Sequence, residues 1–114
     1  MNPVRDIGAT KKIDKISNGV NAQELTLNIA VNLGRIGRWA HEGKVNRINQ
    51  FLEETEMYIS QLEQAHKTPR FSRTFDAFRK SFYELKRATH FDLMWAEMMF
   101  TWANILTHRA SLAG

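Results

Sequence analysis

Glu63-Gln64-Ala65-His66 sets a carboxylate and an imidazole one helical turn apart, the spacing with which helical bundles hold paired metal ions. Such a centre needs a second Glu-x-x-His and further carboxylates. Glu97 could add a carboxylate, but there is no second Glu-x-x-His, so the ligand set is too short and no metal or cofactor is implied. His66 then reads as a helix-end residue placed against the C-terminal dipole. Hydrolytic chemistry has no carrier either. There is no cysteine and no G-x-S-x-G, and Gly34-Arg35-Ile36-Gly37 lacks the G-K-[ST] ending of a phosphate loop. No catalytic residue is assigned.

Arg35 and His41 form an Arg-x5-His pair. It resembles the Arg-x4–6-His motif of the HEPN bundle ribonucleases, and that resemblance implies an all-α ribonuclease with Arg35 and His41 at its centre. Ile36 follows Arg35, where that family commonly carries a polar residue. With nine arginines and four histidines in the chain, a single match at this spacing is also what chance supplies.

Nucleic-acid binding has a broader base. Residues 67–87 carry seven basic and two acidic side chains, whereas residues 48–66 carry four acidic and no basic ones. Arg73, Lys80 and Arg87 stand seven apart, so a helix lines them up opposite its phenylalanines. Lys67, Arg70, Arg79 and Lys86 flank them, and Arg35, Arg38, Lys44 and Arg47 from an earlier hairpin would extend a phosphate-contacting surface. Tyr83 lies near the Arg87 line and would stack on a base. Asp76 and Glu84 lie four residues either side of Lys80, the spacing of ion pairs on a solvated helix face. The uneven charge also suits neighbouring helices that select one another.

The elements that would position these residues are helices. The chain has 114 residues, enough for one domain with a modest core, and a formal charge of +4. Residues 1–20, punctuated by Pro3, Gly8, Asn18 and Gly19, read as an N-terminal arm or short helix, and residues 21–114 as the bundle domain. Residues 21–42 alternate like a strand from Leu25 to Leu33, yet Asn21 with Glu24 forms a capping box and Gly43 a C-cap. A lone strand would find no partner, so the segment is expected to be a helix. Residues 44–66 follow the 3-4 spacing of Val45, Ile48, Leu52, Thr55, Ile59 and Leu62. Thr68-Pro69 starts a third helix over residues 69–87, with Phe71, Phe75, Phe78, Phe82 and Leu85 on one face. Thr89 with Asp92 signals the fourth, which frays after Ala110. Short connections between long helices predict an up-and-down antiparallel bundle of about four main helices, all-α. No apolar run reaches the ~20 residues of a membrane span and no signal-peptide core precedes the bundle, so a cytoplasmic, membrane-free protein is expected.

Residues 91–106, FDLMWAEMMFTWANIL, set the functional expectation. Glu97, Thr101 and Asn104, continued by His108 and Ser111, fall on one narrow stripe, and the other directions of the helix are apolar. Ala96, Ala103 and Ala110 repeat every seven residues and admit a close neighbour. One apolar side would face the core, and the other would need a partner. The sequence therefore predicts a non-enzymatic interaction or adaptor module that self-associates, a dimer by default, through Trp95, Met98, Met99, Trp102 and Leu106. Met94, Met98 and Met99 would alternatively line a groove for a protein partner, or fill gaps in the core.

Overall fold

The computed structural model describes residues 21–114; the arm read over residues 1–20 lies outside them. Four helices follow one another: α1 (Ala22–Glu42), α2 (Val45–Gln64), α3 (Pro69–Lys86) and α4 (Leu93–Arg109), closed by a 3-10 turn at Ala110–Leu112. Among the described residues there is no strand, so the alternation around Leu25–Leu33 resolves as a helix.

The helix boundaries follow from local hydrogen bonding. Asn21 Oδ1 accepts from the Glu24 N–H at 2.9 Å and starts α1. Gly43, at φ 71°, ends it: its N–H and that of Lys44 return to the carbonyls of Ala40 and Trp39 at 3.3 and 3.0 Å, which satisfies two orphan acceptors. Thr68 caps α3 with Pro69 in the first turn. The start of α4 differs from expectation. Asp92 rather than Thr89 is the cap, accepting from Trp95 N at 2.9 Å, and Phe91 just before it packs on the Trp95 ring at 4.4 Å. The chain after Ala110 does not fray. Thr68 donates its hydroxyl to the Leu112 carbonyl and its N–H to that of Ala113, and Ala113 is fully buried.

Side-chain contacts show the antiparallel order. In α1 and α2, Trp39 meets Phe51 edge-on at 4.8 Å, and buried Asn32 donates to Glu54 at 3.0 Å and Thr55 at 3.3 Å. The acidic α2 meets the basic α3 through Glu63–Arg79 at 3.0 Å and Glu56–Lys86 at 3.4 Å, as helices of opposite charge should. Between α3 and α4, three donors at heptad spacing bind acceptors running the other way. Trp95 Nε1 reaches the Leu85 carbonyl and Trp102 Nε1 the Ser81 hydroxyl, both at 2.9 Å, and Arg109 Nη1 reaches Thr74 Oγ1 at 3.3 Å. Helices α4 and α1 approach most closely, with Ala96, Ala110 and Gly37 buried between them; a Cβ added to Gly37 would lie 2.7 Å from the Phe100 ring. Phe71, Phe75, Phe78 and Phe82 of α3 are buried in one apolar cluster with Ile29, Leu33 and Ile36 of α1. Helices α1 and α3 thus stand at diagonal corners, and their outward faces point in opposite directions.

Asn32 fixes the register of α1 against α2 with a polar contact in an apolar seam. Asn32→Asp would set a buried carboxylate beside Glu54. A loss of about 1–3 kcal/mol is expected at neutral pH. The new carboxyl would titrate higher in the folded chain than in the unfolded one, so the loss is present above the unfolded carboxylate range and shrinks as pH falls. Urea denaturation at neutral and mildly acidic pH checks this; a loss independent of pH would contradict it.

Candidate anion-binding surface

The apolar excess of α4 is largely used inside the monomer. Trp95 is 5% exposed, Met99 0% and Leu106 1%, so three of the five expected self-association residues face the core and are closed to a second copy while the bundle is folded. Trp102 is half-buried against α3, its ring edge-on to Phe78 at 5.5 Å. Met98 is exposed, beside Met94 and Leu93. An interface on α4 would have to rest on those last three.

Arg73, Lys80 and Arg87 are all exposed on the outward side of α3, about 10 Å apart along its axis. Arg35 and Arg38 are exposed too, but on the outward side of α1 at the opposite corner, so the two groups do not form one surface. Several flanking basic residues are committed elsewhere. Arg79 binds Glu63 and Asp76, and Lys86 binds Glu56. Lys44 pairs with Glu42, and the Arg47 guanidinium lies 5.5 Å over the Trp39 ring. Lys67 Nζ donates to the carbonyls of Leu62, Glu63 and Ala65 at 2.6, 3.2 and 2.9 Å and so closes the C-terminus of α2. Tyr83 turns towards α2 rather than along the basic line. Burial, then the carboxylates of Glu56 and Glu63, push its phenol above the usual value, against the lowering effect of Arg79.

After these pairings, no described carboxylate lies within 4.0 Å of Arg70, Arg73, Lys80, Arg87 or Arg109. Glu84 shares the outward face but stands beyond that reach of Lys80. Arg109 was missed as a basic residue in the sequence, where it falls in line with Trp95 and Trp102. The α3–α4 packing that follows from this line brings it to the start of α3. There Pro69, Arg70, Arg73, Thr74, Arg109 and Leu112 line a cleft of about 400 Å³. The Arg109 contact to Thr74 orients the guanidinium without neutralising it. Three permanent positive charges around one cleft repel one another, and an anion between them would relieve that repulsion. A second cleft shares Arg73, Thr74 and Arg109 and adds Ala77, Trp102 and Ile105.

The other constellations are not assembled. Arg35 and His41 are six residues apart on one helix, which directs them roughly 120° from each other, and His41 stacks on Phe100 at 6.0 Å. Helix α2 ends at Gln64, so His66 lies beyond it and shares no helical face with Glu63. No group of three potential metal-binding side chains occurs among the described residues, and no described helix is long and apolar enough to cross a membrane. Comparison with family models, with curated proteins and with solved structures gives no match to the chain.

Proposed function

We propose that this protein binds nucleic acid through the phosphate backbone, with the outward face of α3 as the docking surface. The observation that carries this is the gathering of Arg70, Arg73 and Arg109 in one cleft, continued by Lys80 and Arg87, with no described carboxylate in ion-pair reach. Guanidinium groups suit phosphate because their forked donors match its oxygens and stay charged at every working pH. The surface needs no chemistry beyond binding, and it remains open while the bundle keeps its core. The test is replacement of Arg73, Lys80 and Arg87 together by glutamine, with Arg35 and Arg38 replaced as a control. Oligonucleotide binding lost in the first variant and kept in the second is the expected result; equal binding in both would end the reading.

Self-association is the second reading, favoured by the adjacent exposure of Leu93, Met94 and Met98 at 64%, 79% and 41%. A dimer in light scattering that dissociates on Met94→Glu would support it, and a monomer at all concentrations would remove it.

A further inference from the structure

The two clefts between α3 and α4 differ in chemistry but share a wall. One is bounded by three arginines, the other by Ala77, Trp102 and Ile105, and Arg73, Thr74 and Arg109 belong to both. A ligand that fills both needs an anionic group and a flat apolar group close together. A phosphate followed by an exposed base has that form. A duplex does not, because its bases are stacked inside. The Trp102 indole is held for such a role: its N–H is fixed on Ser81 at 2.9 Å and its edge on Phe78, so the ring is oriented before any ligand arrives.

Resting on the backbone-binding reading above, we propose that the α3–α4 cleft selects single-stranded nucleic acid, with phosphates on Arg70, Arg73 and Arg109 and a base stacked against Trp102. An acidic peptide would satisfy the arginines but offers no regular flat ring beside each charge. Trp102 also supplies the readout. Trp39 and Trp95 are only 9% and 5% exposed, so quenching by a stacked base reports on Trp102.

The experiment compares a short oligothymidylate, its duplex with oligoadenylate, and inorganic polyphosphate, which has the charge without the bases. Binding is followed by tryptophan fluorescence and by competition against a labelled oligothymidylate. The expected result is binding of all three, quenching by oligothymidylate alone, and weaker competition by the duplex. Trp102→Leu keeps an apolar side chain against Phe78 and is expected to weaken oligothymidylate binding roughly tenfold without changing polyphosphate binding. Salt-sensitive binding with no quenching, or a duplex that competes equally, would overturn the single-strand proposal and leave the backbone reading standing. Failure of every polyanion to bind would overturn both. Quenching is measured on the unaltered protein, so the proposal stays testable if the variant does not fold.

Discussion

Phe78→Ala is expected to lower the stability of the bundle by about 3–5 kcal/mol. Phe78 is 1% exposed, packs on Phe82 at 5.8 Å and supports the Trp102 ring at 5.5 Å. Truncation removes the ring from the axis and leaves a hole that the four helices cannot close, because α1 and α4 are already in close contact. A domain of this size has about 5–15 kcal/mol in total, so the variant would be marginal at room temperature. Urea denaturation measures the change. A loss below about 1 kcal/mol would mean that the phenylalanine row is not the principal support of the core.

The second large effect concerns binding. With Arg73, Lys80 and Arg87 replaced by glutamine, three phosphate contacts are removed from the outward face of α3. Each contact contributes about 0.7 to 0.9 to the slope of log affinity against log salt, so the slope should fall by about 2 to 3, and affinity at low salt by roughly a hundredfold. The fold should be unaffected, since these side chains are exposed and make no described ion pair. The Arg35/Arg38 variant removes two charges from the opposite corner, so its slope should stay close to that of the unaltered protein. Fluorescence anisotropy across roughly 50 to 200 mM salt distinguishes the two variants. Equal losses would indicate attraction by net charge rather than a docking face.

The fold was legible where its causes are local. Asn21, Gly43 and Thr68-Pro69 act within three or four residues, so their roles can be read along the chain. The phenylalanine row of α3 is a periodic signal with one interpretation. The alternating segment in α1 was ambiguous because Leu27 and Val31, 37% and 52% exposed, are apolar residues on a solvent face. The site was harder to read because it depends on which helix receives α4. Trp95, Trp102 and Arg109 display their heptad spacing in the sequence, but their acceptors, Leu85, Ser81 and Thr74, are a backbone carbonyl and two small hydroxyls with no distinctive pattern. The stripe therefore resembled an external interface. For the same reason Arg109 was not grouped with Arg70 and Arg73. The basic line on α3 was visible, but Lys67, Arg79 and Lys86 could be removed from it only once their partners were known.

The most direct measurement is a two-dimensional amide and indole NMR spectrum recorded while a short oligothymidylate is added at low salt. The expected result is a set of shifts confined to α3 around Arg70, Arg73, Lys80 and Arg87, to Arg109 and to the Trp102 indole, reversed by added salt. An unchanged spectrum, or shifts centred on Arg35 and Arg38 or on Met94 and Met98, would contradict the assignment of this face as the nucleic-acid surface.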